Sequence, residues 1–210
     1  MTRLHIFDLD GTLMHGTSTS VLLAGELGLE PEFRELDAAI GSGRIDTYEY
    51  GRRAYDLWRD LTQDMTASAF AKAPWLAGIR EVWADITARG DHCAVVSLAP
   101  SFFVERLLDW GAHAAHGSVF PTPPFREPLD IAGILGPPDK VRIADALCAG
   151  YGLTRADITA YGDSFSDADL FAVAPRSVAV NADHHVAGLA THAYTGRDLR
   201  EAYALVNDAP

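Results

Sequence analysis

Apolar positions follow different periods in different parts of this chain. Leu4-His5-Ile6-Phe7 reads as a short apolar strand over residues 3–7, ended by the acidic, glycine-containing turn Asp8-Leu9-Asp10-Gly11. From Thr17 to Ala73 the spacing is helical throughout. Val21, Leu22, Leu23 and Leu27 mark a first helix with Thr17 or Ser18 as N-cap. Pro31 suits the first turn of a second helix, which Gly41-Ser42-Gly43 breaks. Asp46 is placed to cap a third helix reaching Leu61, and a shorter fourth follows Gln63. No strand is expected in this stretch.

From Trp75 onward the pattern alternates. A helix over 77–88 is closed by Gly90, and the strand Cys93-Ala94-Val95-Val96 ends at Ser97. Phe103, Val104, Leu107 and Leu108 define a helix over 101–110. Residues 113–135 are proline-rich and read as a hairpin. A helix over 138–149, a strand over 158–161, a helix over 167–173 and a strand over 177–180 follow. A weak strand at Ala193-Tyr194 and a C-terminal helix close the pattern. Short apolar strands alternating with helices imply a parallel sheet covered on both faces. Such folds bind ligands outside the carboxyl ends of their strands. Asp8, Ser97 and Asp163 all fall at predicted carboxyl ends, and the helical stretch leaves the chain just after the first of them, which places it over the site.

Composition narrows the function classes. The chain has 210 residues, room for one medium domain or a core with a small appendage. A hydrophobic share of 48% fits a folded globular protein. The net charge of -12 argues against nucleic acid as a partner, since phosphate backbones are held by clustered Lys and Arg. A small phosphorylated metabolite needs only local positive charge and stays admissible. Cys93 and Cys148 sit in apolar contexts and read as buried thiols, with no zinc or disulfide spacing. The first residues lack the shape of a signal peptide, and no apolar run approaches the roughly 18 residues of a membrane span. The expectation is a cytoplasmic enzyme without a membrane partner. His184-His185 has no supporting ligand set and reads as surface.

Two carboxylates as close as Asp8 and Asp10 repel each other, so one keeps a proton or a cation binds. A hard cation such as Mg²⁺ suits oxygen ligands, and a carboxylate can also attack phosphorus to give an aspartyl-phosphate. An isolated Asp-x-Asp is more often a surface turn; the string Asp8-Leu9-Asp10-Gly11-Thr12-Leu13 after an apolar strand is more specific. In Gly162-Asp163-Ser164-Phe165-Ser166-Asp167, Asp163 offers another metal oxygen; Asp167 stands outside it or caps the next helix. Ser97 precedes a helix start, where a hydroxyl and free N–H groups form an anion site. Lys140, read alone, is a solvated surface residue.

In this order the four pieces resemble the haloacid-dehalogenase-like phosphatases, over nearly the whole chain. The resemblance implies an α/β fold: a Rossmann-like parallel-sheet core of residues 1–14 and 75–210, with a small helical cap of residues 15–74 like that of the phosphoserine-phosphatase-like branch. It implies that Asp8 is the nucleophile and Asp10 the general acid/base. Ser97, Leu98 and Lys140 would hold the phosphoryl group. Mg²⁺ would be bound by Asp8, the carbonyl of Asp10 and Asp163, with Asp167 in support. A phosphotransferase or phosphomutase of the same superfamily is the alternative. An Asp-phosphorylated receiver domain is remote, being shorter and lacking both the second Asp and the helical insert.

The catalytic set matches that branch; the set that reads an amino acid does not. Thr17 stands where a Glu reads the substrate ammonium, and Ala54 where an Arg reads the carboxylate, one step after Arg53. Ser97-Leu98-Ala99 replaces Ser-Gly-Gly, and Ser166 replaces an Asn. His15 and Thr17 follow the nucleophile closely and are candidates for substrate contact. Tyr48, Tyr50, Arg52, Arg53, Tyr55 and Trp58 either line a pocket or pack one amphipathic helix; Tyr48, Arg52 and Arg53 are taken as substrate candidates. The expected substrate is a small phosphate monoester other than phosphoserine.

Overall fold

The structure is a computed structural model that describes residues 2–182, 186 and 188–207. The pair His184-His185 lies outside the described residues. The fold is α/β: six parallel strands in the order β3-β2-β1-β4-β5-β6. They are β1 (Leu4–Phe7), β2 (His92–Pro100), β3 (Ala114–Ser118), β4 (Ile158–Gly162), β5 (Arg176–Val180) and β6 (His192–Tyr194).

Helices α1 (Thr19–Gly25), α2 (Glu30–Gly41), α3 (Thr47–Leu57) and α4 (Gln63–Lys72) follow β1 in the chain, before β2. Then come α5 (Ile79–Ala88), α6 (Ser101–Val104), α7 (Pro137–Tyr151), α8 (Ala168–Val173) and α9 (Leu199–Asn207). Among the described residues no helix is long and apolar enough to cross a membrane.

Strand periodicity sorts the core into two layers. Leu4 and Ile6 of β1 face one side, packed with Ile143, Leu170 and Phe171 of α7 and α8. Phe7 faces the other, against Tyr161 (ring centroids 4.3 Å apart) and Trp83 (6.1 Å). Each such buried ring contributes on the order of 2 kcal/mol. This second layer runs on without a break into Val21, Leu23, Phe33, Leu36 and Trp58 of the first four helices and the turn after α3, so the insert shares a core with the sheet.

Caps set the helix starts. Ser18 accepts from Val21 N, Asp46 from Glu49 N and Thr62 from Met65 N. The third helix ends at Leu57 rather than Leu61, because Trp58 turns into the core, 1% exposed, and Thr62 opens the next helix. The segment over 101–110 is α-helical only to Val104 and 3₁₀ from Glu105 to Trp110.

The hairpin expected in residues 113–135 is absent. Ala114–Ser118 pairs parallel to β2 as an edge strand, and the rest is irregular but for a 3₁₀ turn at Ile131–Gly133. Pro121, Pro123, Pro124 and Pro128 remove the N–H donors that a returning strand would need.

Candidate active site

The strand order puts β1 beside both β2 and β4, and the chain turns to opposite sides of the sheet there, which opens a crevice at their carboxyl ends. Asp8 is the first residue beyond β1. Its N–H still donates to the Tyr161 carbonyl at 2.9 Å, so the side chain is held in strand register, 5% exposed. Gly11 turns the chain away with φ +79°, and a Cβ there would run into the Asp163 carboxylate. Thr12 is fully buried and donates to Asp163 Oδ1 at 3.2 Å.

Lys140 is not the solvated residue that its context suggests. It sits in the first turn of α7, fully buried, with Nζ 2.8 Å from Asp8 Oδ1 and 2.7 Å from Asp167 Oδ1. A buried ammonium is tolerated only with such partners. Asp167 does not cap α8 with its side chain. Its Oδ2 accepts from Asp163 N at 3.1 Å and Ser164 N at 3.3 Å, tying the turn after β4 to Lys140.

Carboxylate oxygens of Asp8, Asp163 and Asp167 lie within 4.8 Å of one another. These are hard oxygen donors, and three carboxylates against one ammonium leave a charge that a divalent cation balances, so the donor set fits Mg²⁺. Desolvation, then the charges of Asp8 and Asp167, push the Asp163 carboxyl well above the usual range. Desolvation also raises Asp167, to about 6, although Lys140 opposes it.

Asp10 points elsewhere. Its Oδ1 accepts from Thr19 N at 2.8 Å and Thr19 Oγ1 at 2.6 Å, at the start of α1. Removal from water is the main cause lifting its pKa to about 7; the Thr19 hydroxyl opposes the rise and the Asp8 charge adds to it. The Asp10 side chain stands apart from the three clustered carboxylates.

Strand β2 bulges between Val96 and Pro100, just where Ser97-Leu98-Ala99 reaches the site. Ser97 is 2% exposed, and its Oγ accepts from Ala99 N at 3.3 Å. Gly117 on β3 allows the bulge, since a Cβ there would strike the Ala99 carbonyl. Ser118 Oγ donates to the Leu98 carbonyl at 2.8 Å.

These groups line one cavity of about 510 Å³, roofed by α1, α2, α3 and the turn after α3. Asp8, Asp10, His15, Thr17, Ser97, Leu98 and Asp163 line it, and Lys140 and Asp167 buttress its floor. Tyr48, Arg52 and Arg53 do not: Tyr48 is 44% exposed, and both arginines pair with Glu49, at 3.7 Å and 2.8 Å. Helix α3 turns Thr47, Tyr50 and Gly51 inward instead.

Sequence reasoning missed Thr12, Thr19 and Asp37. Asp37 had a signal: with Phe33, Leu36 and Ile40 it occupies one face of α2, an acidic residue on an otherwise apolar stripe.

A parallel α/β sheet, a helical insert after its first strand and an acidic cluster with a buried lysine at the carboxyl ends define a class of hydrolase. Residues 6–172 match the family model described as haloacid dehalogenase-like hydrolase, and the chain belongs to that family.

Among curated proteins it is 26% identical over 182 residues to a phosphoserine phosphatase of Archaeoglobus fulgidus. That match covers 86% of this chain but 53% of the relative, so the chain spans about half the relative's length. Among solved structures, a substrate-bound phosphoserine phosphatase superposes with TM-score 0.84 at 23% identity, covering 98% of this chain and 99% of that one. A phospho-aspartyl intermediate analogue of phosphoserine phosphatase gives 0.82 at 23%, with the same coverage. A HAD family hydrolase from Salmonella enterica serovar Typhi gives 0.82 at 19%, covering 95% and 70%. These structural likenesses speak for the fold.

Proposed function

We propose that this chain is a Mg²⁺-dependent phosphatase that hydrolyses a small-molecule phosphate monoester through an aspartyl-phosphate on Asp8. The observation carrying this reading is the meeting of Asp8, Lys140, Asp163 and Asp167 on the floor of a cavity that Asp10 also lines. Residues 1–14 and 75–210 act as the catalytic core and residues 15–74 as its cap.

Asp8 supplies the attacking oxygen, and the bond from phosphorus to the leaving alcohol breaks as the Asp8–phosphorus bond forms. Asp10 is held by Thr19 and enclosed enough to keep a proton near neutral pH, and it gives that proton to the leaving oxygen. The ionised Asp10 then takes a proton from the water that cleaves the aspartyl-phosphate, which restores both carboxyl groups. Ser97 and the backbone of the β2 bulge, with Lys140 beneath, hold the phosphoryl oxygens. Asp8, the Asp10 carbonyl and Asp163 would hold Mg²⁺, with Asp167 fixing the Asp163 turn. When bound, the ion offsets repulsion between Asp8 and the phosphate.

The phosphoserine phosphatases named above act on phosphoserine. This chain has Thr17 and Ala54 where that branch reads the amino acid, so a different ester is its substrate. Asp8→Asn tests the chemistry: turnover of every phosphate ester is expected to vanish while the melting temperature stays that of a folded protein. Retention of more than a few per cent of wild-type turnover by pure variant would remove Asp8 as nucleophile.

A further inference from the structure

The cavity has a second pole that the chemistry at Asp8 leaves unused. Asp37 lines it from α2, on the roof. Its Oδ1 accepts from the Tyr50 hydroxyl at 2.7 Å, and its Oδ2 from the Ser18 hydroxyl at 2.7 Å. Both donors are neutral, so the carboxylate charge is held in place without being cancelled. Each oxygen keeps acceptor capacity beyond the bond it already receives.

Among the described residues, no Lys or Arg lines the cavity, and the ammonium of Lys140 lies beneath the floor with Asp8 and Asp167, at the phosphoryl end and away from Asp37. Ile40, Trp58, Phe120 and Ile134 contribute an apolar wall. The volume of about 510 Å³ leaves room beyond a phosphoryl group for a leaving group that reaches the roof.

An oriented carboxylate beside an apolar wall favours a cation, which regains there the interaction it loses on leaving water. A carboxylate on the substrate would meet the like charge of Asp37, with no lysine or arginine among the lining residues to pair with it.

We infer that the leaving alcohol carries a cationic nitrogen and no carboxylate, and that Asp37 is the residue that selects it. The inference rests on the phosphatase reading of the Asp8 site. It replaces the ammonium contact absent at Thr17 with one from α2, and it assigns no counterpart to the missing arginine. The substrate class is the phosphate monoester of an amino alcohol.

The test compares kcat/KM for 2-aminoethyl phosphate, propyl phosphate, phosphoserine and p-nitrophenyl phosphate at one Mg²⁺ concentration, in wild type and Asp37→Asn. The ratio of the amine ester to the neutral ester is read within one preparation, so partial misfolding of the variant cancels. The expected wild-type ratio is about 10- to 100-fold, the range of one charge-assisted contact, falling to within about threefold of unity in Asp37→Asn. Phosphoserine is expected below 2-aminoethyl phosphate. A wild-type ratio near one, or a ratio that survives Asp37→Asn, overturns the role of Asp37. Phosphoserine leading the panel overturns the exclusion of a carboxylate. Failure to turn over p-nitrophenyl phosphate as well as the other esters would instead count against the phosphatase reading, and this inference would fall with it.

Discussion

At position 11 a single methyl group decides the geometry of the site. Gly11 has φ +79°, and a Cβ there would occupy the space of the Asp163 carboxylate. Gly11→Ala is expected to cost more than about 1 kcal/mol of stability from backbone strain. It should also lower kcat about 100-fold, because a displacement near 1 Å at the reacting atoms has that effect. Steady-state kinetics and thermal melts on one preparation check both; near-wild-type kcat would show that Asp163 tolerates displacement. His5 carries a different prediction, at the amino end of β1 and away from the chemistry. It is fully buried, with Nδ1 3.1 Å from the Tyr161 hydroxyl and Nε2 3.7 Å from Asp91. Arg3 and Arg176 add positive charge, and the Tyr203 ring lies 5.6 Å away. Burial is the main cause lowering its pKa from 6.5 to about 4, with Asp91 opposing. Between those values the unfolded chain binds a proton that the folded chain refuses. Stability is therefore expected to fall as pH drops from 6.5 towards 4, by up to about 3 kcal/mol from this residue. The Asp10, Asp163 and Asp167 carboxyls are raised and act in the opposite sense, so the measurement is the difference in pH slope between wild type and His5→Phe in denaturant melts. Equal slopes would mean that His5 is not held neutral. The two sites also differ in how they could be read. Asp8, Asp10 and Asp163 were legible as candidates because each falls at or just past the end of an apolar strand. The burial of Lys140 was not, because only the packed fold brings α7 beneath Asp8.

Among elements, four of the strands read from sequence, β1, β2, β4 and β5, have apolar runs buried on both faces; the fifth, β6, is short and largely exposed and gave only the weak signal of Ala193-Tyr194. The edge strand β3, Ala-Ala-His-Gly-Ser, has little apolar content because one side of it meets solvent and irregular chain. The segment after β3 was misread for the same reason: its apolar residues serve the insert and not a hairpin. Phe125 stacks on Tyr55 (5.3 Å, 3° between planes), Phe120 meets Trp58 edge-on (5.5 Å), and the Tyr55 hydroxyl donates to the Glu127 carbonyl at 2.9 Å. This strap fastens α3 and the turn after it, and so the roof that bears Tyr50 and Asp37, to the sheet. Phe125 is 6% exposed. Phe125→Ala is expected to destabilise the protein by about 3 kcal/mol. It should speed tryptic cleavage at Arg126 as the strap opens locally. KM should rise more than kcat falls, since the roof moves while Asp8 and its neighbours stay on the sheet. Denaturant melts, a proteolysis time course and kinetics check these, and a kcat loss equal to the KM change would place the strap's effect on the chemistry itself.

For the molecule as a whole, the acidic cluster belongs to no single element. Asp8 follows β1, Asp163 follows β4, Asp167 closes a 3₁₀ turn and Lys140 opens α7, so the cluster exists only when the sheet and both its faces are assembled. The folded chain therefore holds three carboxylates together against one ammonium, a strain that the unfolded chain escapes by separating them. A divalent cation that binds this arrangement and not the unfolded chain must raise the unfolding temperature. At 100 times its dissociation constant the gain is about 2.7 kcal/mol. Mg²⁺ is expected to raise the melting temperature of wild type and to shift Asp163→Asn much less, while chelation abolishes turnover. Ca²⁺ is expected to raise the melting temperature without supporting turnover, because it accepts extra oxygens and can engage both oxygens of Asp8, whereas Mg²⁺ keeps a tight octahedron and leaves one free to attack. The two readouts separate binding from chemistry. Full turnover after exhaustive chelation would overturn the metal dependence. A Mg²⁺-induced shift as large in Asp163→Asn as in wild type would move the ion away from the carboxyl ends of β1 and β4.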